Sequence, residues 1–197
     1  MSRRTVEASL ENPARAAAPA FTLRAPSTED GAAIWELVRR CKPLDENSCY
    51  AYLLLCEHFS GTSVVAEKDG EIAGFVSAYI PPRKSDIVFV WQVAVDDSAR
   101  GMGLAGAMLE NVIGRPACAG VRYMETTVSP GNVASETLFR KFAARRGAAC
   151  DEKTLFTRSH FGSAAHEDEV LFRIGPLIGN GESGTRKRQG QHFEGEP

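Results

Sequence analysis

The residues best suited to chemistry lie in one run, Trp91-Gln-Val-Ala-Val95, Asp-Asp-Ser-Ala, Arg100-Gly101-Met102-Gly103-Leu104-Ala105, then Gly-Ala-Met-Leu109. Two glycines two residues apart leave backbone N–H groups open to a ligand. Behind them Leu104, Met108 and Val112 recur at helical spacing, so the turn sits where a helix N-terminus carries about half a positive charge. That arrangement favours a pyrophosphate. The segment before the turn, Ile87 to Val95, is almost continuously apolar and rich in β-branched and aromatic residues, which predicts a strand buried on both faces. Glycines at this spacing also make plain turns, and that alternative stands beside the ligand reading. The run is neither a complete dinucleotide fingerprint nor a Walker loop. Gly101, Gly103 and Gly106 fit the glycine spacing of the former, but no acidic ribose partner stands at a second strand end and no Lys follows the loop.

The remaining elements follow in order. Phe21 to Arg24 reads as a first strand, and Ser27 or Thr28 caps a helix with Ile34, Leu37, Val38 and Cys41 on one face. Pro43 ends it, and Ser48 caps a second helix to about His58. Ser63 to Lys68 and Glu71 to Ile80 form a hairpin about Asp69-Gly70. After the central strand and its helix come a strand over 121–128, a helix capped by Asn132 and running to about Arg146, a strand over 150–156 and a last strand over 169–174. Residues 1–20 and 179–197 lack periodicity and read as tails, so one folded domain is expected over 21–178.

Composition narrows the partners. In 197 residues, 43% are hydrophobic and 24% charged, with net charge −2; a single core at this length buries roughly 70% of the unfolded surface. Neither a broad basic face for nucleic acid nor a membrane-spanning stretch is expected. Five cysteines, without a Cys-x-x-Cys pair, suggest reduced, mostly buried thiols in a cytoplasmic protein rather than disulfides or a metal site. Arg3 and Arg4 precede no apolar run, and Glu7 and Glu11 do not suit a transit peptide.

Arg-Gly-x-Gly-Leu-Ala, five residues after Val95, resembles the acetyl-CoA motif of the GCN5-related N-acetyltransferases. Val128-Ser-Pro-Gly-Asn132-Val-Ala-Ser135-Glu-Thr-Leu138-Phe139 is similar to that family's second motif. The resemblance implies an α/β (α+β) fold with a mixed central sheet of about six to seven strands and about four helices. It implies that the amides of Arg100, Gly101, Met102, Gly103, Leu104 and Ala105 hold the pyrophosphate of acetyl-CoA, and that Val93 and Val95 pair with the pantetheine arm. Asn132, Ser135 and Phe139 are then cofactor contacts, although Asn132 also suits a plain helix cap. Two positions depart from the pattern: Asp97 replaces a usual Pro, and Phe139 replaces the Tyr often used as general acid, and a phenyl ring has no proton to give.

Leu44-Asp45-x-Asn47-Ser48-x-Tyr50-x-Tyr52, Phe75-Val-Ser-Ala-Tyr79, Phe89-Val-Trp91-Gln92-Val93 and Leu171-Phe-Arg-Ile-Gly175 are similar to the L-2,4-diaminobutyrate acetyltransferases of ectoine biosynthesis. That likeness implies acetyl transfer to the 4-amino group of the diamine and a homodimer. A diamine with one carboxylate calls for acidic partners, so Asp45, Tyr50, Trp91, His166 and Glu167 are candidate substrate contacts. Glu167, Asp45 and Glu125 are candidate bases, and the Val93 amide a candidate oxyanion donor. Four of these have a plainer alternative: helix capping for Asp45, core packing for Trp91, solvation for His166 and Glu167. An acetyltransferase for another small amine or a peptide, a silent acetyl-CoA-binding module, and a cysteine acyl-enzyme remain alternatives.

Overall fold

A computed structural model describes residues 21–42, 44–164 and 166–177. Both expected tails, Ile178 at the expected domain end and the helix-ending Pro43 lie outside the described residues. The elements run β1 (Thr22–Arg24), α1 (Gly31–Arg40), α2 (Cys49–Phe59), β2 (Val64–Lys68), β3 (Glu71–Tyr79), β4 (Ile87–Val95), α3 (Leu104–Ile113), β5 (Tyr123–Val128), α4 (Val133–Arg146), β6 (Ala149–Phe156) and β7 (Glu169–Gly175). This is the element order expected from the sequence. The strands form one mixed sheet in the order β1-β2-β3-β4-β5-β7-β6. Packing divides the chain into two units, one of residues 21–77 with Gln92–Val112, the other of Ala78–Trp91 with the chain after Val112.

In the first unit α1 and α2 bring Ile34, Leu37, Val38, Tyr52, Leu55 and Cys56 into one apolar cluster with Val65, Phe75 and Ala94. Arg24 ties β1 to the turn before α1 and to β2, with its guanidinium 2.7 Å from Asp30 and 2.9 Å from Glu67. The β2–β3 turn places Asp69 and Gly70 at φ of 54° and 84°, the left-handed pair a type I′ hairpin demands. On α3, Leu104, Met108 and Val112 are buried. Met108 lies over Gly74 of β3, where a Cβ would stand 2.9 Å from its terminal methyl, so a larger residue there would push that flexible side chain aside.

In the second unit β4 and β5 run parallel, pairing Ile87 with Tyr123 through Val90 with Thr126. β7 lies antiparallel between β5 and β6, and α4 packs on β6 and β7. The helix ends at Gly147, at φ 58°, the left-handed stop that glycine supplies.

One expectation needs correction: β4 is not buried on both faces. Val88, Val90, Gln92 and Ala94 are buried, but Phe89, Val93 and Val95 are half-buried and Trp91 is 44% exposed. On that face Phe89 packs on Tyr79 with ring centroids 5.3 Å apart, whereas core packing does not account for Trp91.

Candidate active site

The anion turn belongs to the first unit. β4 ends at Val95, and Asp96 caps a short 3-10 turn by accepting from the Ser98 N–H at 3.0 Å. Arg40 reaches Asp96 at 3.4 Å, and the Cys41 thiol donates to the Val95 carbonyl at 3.3 Å. Asp97, standing where Pro is usual, pairs with Arg100 at 2.9 Å. Gly101 and Gly103 both sit at φ 77°, with no atom within 4 Å of where a Cβ would be. α3 begins at Leu104, and its first-turn N–H groups have no partner within the helix. Positive φ explains why the turn needs glycine, and the open space above it matches what a diphosphate requires. The residues present therefore fit the pyrophosphate of acetyl-CoA. Leu104 is buried, Ala105 half-buried and Met102 51% exposed, so the side chains here leave the backbone accessible.

The same unit holds the Asp45 segment. Ser48 caps α2, accepting from the Ala51 N–H at 3.3 Å, so Asp45 is not that cap. Asp45 is exposed and Tyr50 is 67% exposed. Gln92 of β4, only 6% exposed, donates through Nε2 to the Asp45 carbonyl at 2.9 Å and accepts from the Tyr52 hydroxyl at 3.2 Å. Sequence reading gave Gln92 no role. The available signal was a lone amide in a strand of apolar residues.

In the second unit Asn132 caps α4, its Oδ1 accepting from the Ser135 N–H at 3.0 Å; Asn132 and Ser135 are half-buried. Phe139 is 2% exposed. Glu125 is buried between two cations, Lys84 at 3.2 Å and Arg173 at 2.9 Å. The segment before β7 is built around an aromatic stack: His166 lies on Phe161 with centroids 3.9 Å apart and planes 12° from parallel. His166 Nδ1 is 2.8 Å from the Glu167 carbonyl. A carbonyl can only accept, so Nδ1 carries the proton. Glu169 accepts from the Ser129 hydroxyl at 2.9 Å and lies 3.8 Å from His166 Nε2. Glu167 is exposed, and a Cβ on Gly131, just before the Asn132 cap, would meet its carboxylate at 3.5 Å. The structure thus gathers Glu167, His166 and Glu169 beside the start of α4. Nothing local in the sequence marks Glu169; its hydroxyl partner lies 40 residues away, beyond the reach of spacing.

Burial also settles the state of most thiols. It pushes Cys56 up to about 11 and raises Cys41, Cys118 and Cys150 from the ordinary range. Those four resist becoming thiolates, the form a nucleophile needs. Among the described residues no cluster of three His, Cys, Asp or Glu groups is placed to hold a metal ion.

A sheet of this order with a glycine turn between its central strand and α3 defines an acetyltransferase, and the chain belongs to the acetyltransferase (GNAT) family, whose profile matches residues 31–144. Within it, the chain is 53% identical over 163 residues to the L-2,4-diaminobutyric acid acetyltransferase of Bordetella parapertussis, covering 82% of this chain and 88% of that one. It is 46% identical over 157 residues to the enzyme of the same name from Halalkalibacterium halodurans, covering 80% and 82%. Among solved structures it resembles the diaminobutyrate acetyltransferase of Paenibacillus lautus, determined with its substrate L-2,4-diaminobutyric acid and coenzyme A. That likeness has a TM-score of 0.78 at 42% identity, covering 82% of this chain and 98% of that one.

Proposed function

We propose that this protein transfers acetyl from acetyl-CoA to the 4-amino group of L-2,4-diaminobutyrate, giving N4-acetyl-L-2,4-diaminobutyrate for ectoine synthesis. The observation that carries the reading is identity of 53% along nearly the whole domain to an enzyme of that name. The Paenibacillus lautus likeness supports it independently, since that protein was solved with the diamine and coenzyme A.

In this reading the amides of 100–105 hold the pyrophosphate, and the odd residues of β4, Val93 and Val95, pair with the pantetheine arm beyond Val90, the last residue paired to β5. Their half-exposed, apolar character supports a ligand-facing edge. Asn132, Ser135 and Phe139 complete the cofactor contacts. Asp45, Tyr50, Trp91, His166 and Glu167 receive the diamine.

The chemistry sets a definite demand. An alkylamine of pKa near 10.4 is deprotonated in roughly one molecule per thousand at pH 7.4, a penalty of about 4 kcal/mol. Desolvation lowers that pKa, and a carboxylate takes the proton. The free amine adds to the thioester carbon while the Val93 amide donates to the developing oxyanion. The adduct's nitrogen loses its extra proton to water, the C–S bond breaks and, Phe139 having no proton to give, the thiolate takes one from water or another residue or departs as the anion. Of the candidate bases, Glu125 is committed to two cations, which favours Glu167 or Asp45. Glu169, half-buried and held by Ser129, joins them as a further carboxylate beside Glu167.

A homodimer in the cytoplasm belongs to the same reading and rests on the family resemblance; no helix among the described residues is long and apolar enough to cross a membrane. The test is purified protein with acetyl-CoA and 2,4-diaminobutyrate, followed by NMR assignment of the acetylated nitrogen. Acetylation at the 4-amino group is expected. Acetylation at the 2-amino group, faster turnover of another amine or a peptide, or acetyl-CoA binding without turnover would overturn it.

A further inference from the structure

We propose that Gln92 is a positioning residue that fixes the Asp45 segment for the diamine, a role that rests on the diaminobutyrate reading. A buried amide costs free energy unless both its ends are bonded. Here both are, and the bonds have a direction. The Asp45 carbonyl can only accept, so Nε2 must face it; Oε1 then faces Tyr52, whose hydroxyl must donate. Tyr52 is itself fixed, with no exposed surface and its ring edge-on to Phe75 at 6.4 Å. The chain Tyr52–Gln92–Asp45 therefore runs from the α2 core through β4 to one backbone carbonyl in the α1–α2 connection.

That carbonyl bond is not needed to hold the helices at either end of the connection. Ser48 caps α2, and the end of α1 is fastened by Cys41 to the Val95 carbonyl and by the Leu44 N–H to the Cys41 carbonyl. What the Gln92 bond adds is the placement of residue 45 itself, whose carboxylate leaves from the same Cα. Gln92 also stands in sequence between Trp91 and Val93, the proposed diamine contact and the proposed oxyanion donor. One side chain thus references the acceptor carboxylate to the strand segment that carries the reaction.

The experiment compares Gln92→Met, which keeps length and removes both hydrogen bonds, with Tyr52→Phe, Asp45→Asn and the Gln92→Met/Asp45→Asn double variant. Gln92→Met is expected to raise the diamine KM about five- to thirty-fold, as loss of one or two hydrogen bonds does, while the acetyl-CoA KM stays within about two-fold. Tyr52→Phe should move the diamine KM the same way by less, and it serves in place of Gln92→Met if the latter does not fold. The double variant should be no worse than Asp45→Asn alone, because Gln92 acts through residue 45. Hydrogen exchange of the amides of 45–47 should quicken in Gln92→Met. An unchanged diamine KM, equal damage to both KM values, or additive losses in the double variant would overturn the role of Gln92. Wild-type protein that does not acetylate the diamine would instead overturn the function on which it rests.

Discussion

Asp45 is the residue at which the functional and structural explanations separate. The cap of α2 is Ser48, which removes helix capping as the reason for a carboxylate at 45. Asp45→Asn keeps the shape and discards the charge. A charge-assisted contact to an ammonium is worth about 1.5–3 kcal/mol, or roughly 10- to 150-fold in kcat/KM. The variant is expected to lose that much diamine turnover while its Tm and acetyl-CoA KM stay near wild type; a fall in Tm with kcat/KM intact would return Asp45 to a structural role. Gly103 needs a substitution chosen for its backbone as well as its bulk. A bulky β-branched residue there would be strained by φ 77° as well as obstructive. Asn tolerates positive φ better than other side chains, so Gly103→Asn tests obstruction with less strain. The expected result is an acetyl-CoA KM raised at least ten-fold, about 1.4 kcal/mol, beside an unchanged diamine KM. Equal acetyl-CoA affinity would move the pyrophosphate off this turn.

At the scale of elements, local chemistry was well written in the sequence. Asn132 begins α4 where a cap was readable, and Asp69-Gly70 turned the hairpin as its residue types require. β4 misled because an almost continuous apolar run signals burial on both faces; the alternation of exposure from Phe89 to Val95 appears only in three dimensions. Long-range polar ties were not legible at all, since nothing local marks Arg24 as the partner of Asp30 and Glu67. That tie carries a stability consequence. The hydrogen-bonded Arg24 guanidinium holds the buried Asp30 carboxyl below its ordinary value, assisted by the Ser27 N–H. A depressed folded-state pKa contributes stability above the unfolded value, near 3.9, and loses it as pH falls through the folded value. Asp30→Asn should therefore lower stability by about 1–3 kcal/mol at pH 7, measured by urea unfolding, and that difference should shrink towards zero as the pH is taken below about 3.9. A difference independent of pH would assign the cost to packing rather than charge.

Across the whole molecule, the sheet order could not be read from periodicity, which fixes elements and not their neighbours; it was legible only through resemblance to a family. The thiols, in contrast, are a property of the whole chain that sequence and structure state together. Five cysteines lie free, none in a nucleophile signature, and burial holds four of them in the protonated form. Cys49, half-buried at the first turn of α2, is the remaining thiol, the one that burial does not hold back. It is therefore the proper test of a covalent route. If acetyl passes directly to the amine in a ternary complex, initial-rate plots at varied acetyl-CoA and diamine should intersect, and Cys49→Ala should keep kcat within about two-fold, under 0.5 kcal/mol in barrier. Mass spectrometry of protein mixed with acetyl-CoA alone should find no acetylated cysteine. Parallel initial-rate lines, together with an acetyl-Cys49 that disappears on adding the diamine, would require the ping-pong mechanism instead.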